Sequence, residues 1–203
     1  MQITLNNVGK RFNREWIFRH IDYQFIAGKR YAITGANGSG KSTLLQVIAG
    51  SLTFNEGSIE ATTDDRQQTT ENLYKDVAIA APYLELIEEM TANEMLAFHA
   101  QFKTLTLSSM EILSIVGLEK AAAKQLRYFS SGMKQRLKLA QAFFSTTPIL
   151  LLDEPTTNLD EEGIAVYQTL IKDHTAGRLV IVSSNDKQEY SFCDEVIAIG
   201  DYK

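Results

Sequence analysis

The sequence predicts an α/β fold with a mainly parallel central sheet, an antiparallel β lobe at the N-terminus and a helical part inserted in its middle. Three observations carry this. From Ile149 to Ile199 short apolar runs alternate with amphipathic segments, as in strands joined by crossover helices. A β-rich run at 30–34 leads through a glycine-rich loop into a helical segment. Between Thr91 and Phe144 apolar side chains recur at helical spacing.

The elements follow in order. Ile3, Leu5 and Val8, then Ile17, Ile21, Tyr23 and Phe25, give antiparallel strands that end at the Ala27-Gly28 turn. Residues 30–34 form the next strand and 41–49 a helix stopped by Gly50. The stretch 61–75 is polar and almost free of large apolar side chains, which predicts a loop or poorly ordered connection. Residues 77–80 read as a buried strand, and 91–102, 108–116 and 132–144 as helices. Then come strand 149–152, helix 161–174, strand 179–183, helix 186–193 and strand 196–199. No internal repeat or low-complexity tract interrupts the pattern, and no regulatory tail domain is expected after the last strand.

With 203 residues, 44% hydrophobic and 22% charged, the chain can bury one compact core with a smaller lobe attached. Its longest apolar runs, at 149–152 and 179–182, fall far short of the ~20 residues that cross a bilayer. A soluble chain is expected. The N-terminus lacks the basic start and apolar core of a secretory signal, and the single Cys193 has no partner for an internal disulfide, which favours a cytoplasmic setting. A net charge of -5 offers no general attraction to nucleic acid, and no nucleic-acid partner is expected.

Gly35-Ala36-Asn37-Gly38-Ser39-Gly40-Lys41-Ser42 completes the P-loop pattern GxxxxGK[ST] between a strand and a helix, where the motif is highly specific. Backbone N–H groups over Gly38, Ser39 and Gly40 turn inward around phosphate oxygens, and the helix N-terminus adds the positive end of its dipole. Lys41 reaches the β- and γ-phosphates, Ser42 places its hydroxyl on Mg2+, and Thr43 follows as a further nucleotide-binding residue. The Asn37 side chain approaches the γ-phosphate region. The motif implies a P-loop NTPase core that takes ATP and Mg2+. Further along, the strand 149–152 runs into Asp153 and Glu154. Paired acids after a strand are commonly solvated turn residues; beside a phosphate loop they read as a Mg2+ ligand, Asp153, and a general base polarising water, Glu154.

On these residues the chain resembles the ABC ATPase family. Phe129-Ser130-Ser131-Gly132-Met133 resembles the family's Leu-Ser-Gly-Gly-Gln signature, and Thr157-Asn158-Leu159-Asp160 resembles its D-loop. The resemblance spans essentially the whole chain. It implies a single ABC-type ATP-binding domain over 1–203, with the helical subdomain at approximately 83–144. It also implies that Phe12 stacks on adenine, with Trp16 as a competing aromatic, and that Ser130 and Gly132 receive the γ-phosphate of a nucleotide held by a second subunit. Asp160 would contact that opposing subunit. Two such chains would sandwich two ATP molecules head to tail. Ser130 and Ser131 equally cap the helix behind them, and the two roles are compatible. Residues 83–90 mix apolar and acidic side chains where the family receives a coupling helix from the membrane permease; as readily, they fill the core and rim of their own subdomain.

Three departures bear on catalysis. Ser131 and Met133 replace a glycine and the glutamine of the signature. Pro82 stands where the Q-loop glutamine helps coordinate Mg2+ and senses the membrane partner. Asn185 stands where a histidine contacts the γ-phosphate, and an asparagine donates a hydrogen bond without charge. His20, His99 and His174 lie elsewhere and read as structural or surface residues. The resemblance therefore implies an ATP-binding and ATP-hydrolysing transporter subunit, peripheral at the cytoplasmic face of the membrane, driving separate membrane subunits at a reduced hydrolytic rate. The competing readings are a nucleotide-gated regulatory module with little hydrolysis and a soluble non-transport ABC ATPase. Soluble relatives of that kind generally carry coiled-coil insertions or paired nucleotide domains, and this sequence shows neither.

Overall fold

The computed structural model describes residues 1–63, 66–68 and 73–203. Its strands are β1 (Gln2–Phe12), β2 (Glu15–Ile26), β3 (Arg30–Thr34), β4 (Glu56–Thr63), β5 (Arg66–Gln68), β6 (Val77–Ala80), β7 (Ile149–Asp153), β8 (Leu179–Ser183) and β9 (Glu195–Ala198). Its helices are α1 (Lys41–Ile48), α2 (Ala92–His99), α3 (Ser109–Ile115), α4 (Ser131–Phe143), α5 (Glu161–His174) and α6 (Lys187–Tyr190). Two compact units result: Met1–Ile79 with Pro148–Asp153 and Gly177–Lys203, and Ala80–Thr147 with Glu154–Ala176. Among the described residues no helix is long and apolar enough to cross a membrane.

The first unit holds two sheets. One is antiparallel, in the order β2-β1-β4-β5, and the other runs β6-β7-β8-β3-β9. In the second sheet β3 lies parallel to both β8 and β9, and β7 parallel to β8. Every residue of β7 and β8 is buried, the condition under which a strand reads as a continuous apolar run rather than an alternating one. The two sheets and α1 share one core, in which Ile3, Leu5 and Phe25 meet Ile33, Leu45, Ile48, Leu151 and Ile181. Tyr31 ties the sheets together. Its hydroxyl accepts a hydrogen bond from the Ile26 amide at 3.0 Å, and its ring meets Phe25 edge-on at 5.0 Å.

The expected loop at 61–75 is corrected in part. β4 continues through Thr63, with Ala61 opposite Ile3, and β5 pairs back on it with Gln68 opposite Ala61. An antiparallel strand needs only one apolar face, and Ile59 and Ala61 supply it while their neighbours stay polar, so the composition resembled a loop. Positions 64–65 and 69–72 of that stretch lie outside the described residues.

In the second unit α4 packs against α2, α3 and α5. Both α2 and α3 open with capping boxes, in which Thr91 pairs reciprocally with Glu94 and Ser108 with Glu111. α5 links β7 to β8 in the chain. α2 stops at His99 and α6 spans only Lys187–Tyr190, both shorter than their apolar spacing suggested. Because Leu151 is fully buried in the shared core of the first unit, Leu151→Ala should lower stability by about 2–5 kcal/mol, read from the midpoint of urea unfolding.

Candidate functional site

The phosphate loop leaves the carboxyl end of β3 and enters α1. Gly35, Gly38 and Gly40 all hold positive φ, at 148°, 76° and 105°. At Gly40 a side chain is excluded twice over, since an added Cβ would lie 2.4 Å from Ile17 Cγ2. Lys41 is buried, and its ammonium donates to the Gly35 carbonyl at 2.7 Å and the Ala36 carbonyl at 3.3 Å. The cation is thus held inside the loop. Lys203 adds a contact with no counterpart in the motif: its ammonium donates to Ile17 O at 2.9 Å and Ser39 O at 2.8 Å. A lysine so far along the chain carried no sequence signal.

Strand order brings the acid to the same edge. Ile33 of β3 and Asp153 of β7 are both register partners of Ser183 in the intervening β8, so the phosphate loop and Asp153 leave strand ends one strand apart. Asp153 is 1% exposed and its Oδ1 has no hydrogen-bond partner; the hydroxyls of Ser39 and Ser183 are likewise unpartnered. A buried carboxylate oxygen left open is costly unless a cation satisfies it. Asp153 and the half-buried Ser42 hydroxyl therefore fit Mg2+. Among the described residues no cluster of three His, Cys, Asp or Glu side chains could hold a metal ion by itself. A hard cation completing its shell with phosphate oxygens and water needs none.

Glu154 follows directly at φ 42°, a left-handed conformation that costs a side-chain-bearing residue of order 1 kcal/mol and is found at functional turns. Beyond β8, Asn185 reaches the phosphate loop: its Oδ1 accepts from Gly35 N at 3.1 Å and its Nδ2 donates to Asn37 Oδ1 at 3.2 Å. Of the two candidate aromatics, Phe12 is 48% exposed with the Lys10 ammonium 4.9 Å from its ring centre. The ring of Trp16 is already engaged by Arg19 at 4.1 Å and Arg11 at 5.4 Å. Phe12 is the more exposed ring and carries one cation where Trp16 carries two.

In the second unit Ser130 caps α4, its hydroxyl accepting from Met133 N at 3.2 Å, and the first turn of that helix carries no acidic residue. Gly132 is approached closely: an added Cβ would sit 2.9 Å from the Asn158 carbonyl. Asp160 caps α5 through Gly163 N at 2.9 Å, and Gln135 donates to Pro155 O at 2.9 Å. The segments 129–133 and 155–160 are therefore packed as one assembly.

A sequence profile described as ABC transporter matches residues 18–157. An uncharacterized ABC transporter ATP-binding protein of Bacillus subtilis (strain 168), YybJ, is 33% identical over 196 residues, covering 95% of this chain and 89% of its own. The chain belongs to the ABC transporter family. Among solved structures, an ATP-binding subunit of an ABC transporter superposes with a TM-score of 0.85 at 23% identity, over 98% of this chain and 85% of that one. A dimeric ATP-binding cassette in a post-hydrolysis state with ADP and Pi superposes with a TM-score of 0.78 at 23% identity, over 97% and 93%. Both share the fold.

Within this ABC protein Pro82, expected at the Q-loop position, stands in a turn held from α4 by Lys138, whose ammonium donates to Pro82 O at 2.9 Å. Burial pulls the Lys138 pKa down. Beside it lies a groove of about 750 Å³, lined by Pro82, Leu84, Leu86 and Ile87 together with Glu85, Glu88, Glu89, Lys134 and Lys138. Each histidine has a partner of its own. His20 pairs with Asn7, His174 lies against Phe144, and His99, whose pKa burial lowers, pairs with Ser145.

Gly40→Ala should abolish nucleotide binding measured with a fluorescent ATP analogue. Phe12→Ala should weaken ATP binding by roughly 5- to 100-fold, the worth of one stacking aromatic, while Phe12→Trp retains it and Trp16→Ala has the smaller effect.

Proposed function

We propose that this chain is the ATP-binding and ATP-hydrolysing subunit of an ABC transporter, driving separate integral membrane subunits from the cytoplasmic face of the membrane. The observation that carries the reading is the buried Asp153 carboxylate, with its open oxygen, one strand away from a complete phosphate loop. Gly38, Ser39, Gly40 and Thr43 bind phosphate with their backbone N–H groups and hydroxyls, and Lys41 turns its ammonium from its own loop carbonyls to the β- and γ-phosphates. Asp153 and Ser42 would hold Mg2+, which supplies charge neutralisation at those phosphates. Glu154 takes a proton from the attacking water as general base, and Phe12 stacks on adenine.

Residues 1–203 form one ABC-type ATP-binding domain in this proposal, with a helical subdomain at approximately 83–144. ATP closes a head-to-tail homodimer, in which Ser130 and Gly132 at the N-terminus of α4 receive the γ-phosphate held by the second subunit. Asp160 contacts that subunit. The dimeric, ADP- and Pi-bound neighbour and the ATP-binding subunits among the relatives support this reading. The groove beside Pro82 takes an amphipathic helix of the permease, its apolar side chains meeting Leu84, Leu86 and Ile87 and its basic ones Glu85 and Glu89. No nucleic acid is bound.

Pro82 and Asn185 favour a second reading, a nucleotide-gated switch that closes on ATP and barely turns over. Neither side chain supplies the group its position has in the family, a carboxamide on Mg2+ or an ionisable imidazole on the γ-phosphate. Steady-state ATPase assays with and without the copurified permease separate the two. In the transport reading the wild type turns over, Glu154→Gln abolishes turnover, and the variant accumulates as an ATP-bound dimer on size exclusion. A wild type that dimerises on ATP without turnover, alone and with the permease, establishes the switch instead.

A further inference from the structure

We propose that Asn185 is a positioning residue that acts through Asn37, fixing the Asn37 carboxamide so that its NH2 group, and not its oxygen, is left to meet the γ-phosphate. The inference rests on the reading of the phosphate loop as an ATP site.

The argument is one of donors and acceptors. Gly35 N–H lies 3.1 Å from one side-chain atom of Asn185, and a backbone N–H can only donate, so that atom is the carboxamide oxygen. The remaining terminal atom of Asn185 is then its nitrogen, which only donates. It lies 3.2 Å from Asn37, which must answer with its own oxygen. The chain of requirements ends at the Asn37 NH2 group, turned away from Asn185 with hydrogens to offer. The opposite orientation would present oxygen lone pairs to an anion.

The relay is also held still. Ser184, the residue before Asn185, is buried and donates its backbone N–H to Ile33 O at 3.1 Å. The residue after it, Asp186, caps α6 through Gln188 N at 2.9 Å. Asn185 therefore projects from a turn pinned on both sides, and two carboxamides that would rotate freely in water are oriented before the ligand arrives. Orientation completed in advance is not charged against binding. Because Asn37 serves the γ-phosphate end, the benefit falls on ATP and not on ADP. A neutral relay thus does by orientation what an ionisable side chain at position 185 would do by direct contact.

The test uses the full chain with Mg2+ and isothermal titration of ATP and of ADP into wild type, Asn185→Asp, Asn185→Ala, Asn37→Ala and the double variant Asn37→Ala/Asn185→Ala. Asn185→Asp is nearly isosteric; its carboxylate still accepts from Gly35 N–H but offers Asn37 no hydrogen, so Asn37 must rotate and face the γ-phosphate with oxygen. ATP affinity should fall by at least about 10-fold with a much smaller change for ADP, the lost hydrogen bond and the repulsion of the γ-phosphate by the new carboxylate acting together, so the neutral variant Asn185→Ala isolates the relay. Asn185→Ala should weaken ATP binding in the wild-type background and add nothing once Asn37 is alanine. Equal losses for ATP and ADP, additive effects in the double variant, or unchanged ATP affinity in Asn185→Ala would overturn the relay and leave the ATP site standing. Absence of ATP binding by the wild type would overturn the ATP-site reading and the relay with it.

Discussion

A loop that wraps a polyphosphate must turn several consecutive N–H groups to one side, and an ordinary L-residue resists the backbone conformation this needs. Gly35, Gly38 and Gly40 meet that demand with positive φ, and much of the first unit is arranged around it. At Gly40 the absent side chain leaves room for Ile17, so strand β2 of the antiparallel sheet sits directly against the mouth of the loop. Lys203 spans the same junction, taking one carbonyl from β2 and one from the loop. The N-terminal lobe is thereby a wall of the phosphate site as well as a carrier of Phe12.

Burial sets the electrostatics of that site. Lys41 and Asp153 are both nearly inaccessible, one satisfied by the carbonyls of its own loop and the other with an oxygen left open. Opposite charges that hold their places without satisfying each other leave capacity for a ligand carrying both signs, phosphate for the lysine and a divalent cation for the carboxylate. The strained turn at Glu154 belongs to the same economy of form: the chain leaves a fully buried strand and departs in a left-handed residue instead of relaxing into a glycine turn.

The second unit contributes a helix terminus and a groove. The N-terminus of α4 carries its Ser130 cap, has no acidic residue in its first turn, and is held against Asn158 so closely that Gly132 admits no side chain. The cap comes from Ser130 and the close contact from Gly132, so neither rests on the side chain of Ser131 or Met133. Pro82 is a different matter, since its side chain offers no hydrogen bond and the turn is held by Lys138 from outside.

The sequence alone determined the local chemistry. The loop from Gly35 to Ser42, the acids after an apolar strand and the strand–helix alternation all follow from interactions between residues close in the chain, where type and spacing suffice. β4 and β5 were hidden because a polar edge segment becomes strand only when another strand supplies its hydrogen bonds. Tertiary structure alone decided that Asp153 would be buried with an open oxygen, that Phe12 would be the more exposed of the two candidate aromatics, and that Asn185 would engage Asn37. The first and last depend on which distant residue arrives alongside, Ser183 in register and Gly35 opposite a carboxamide, while the β1–β2 hairpin lays Arg11 and Arg19 over the indole. Spacing along a chain fixes which groups are available, and only packing fixes which of them are already occupied.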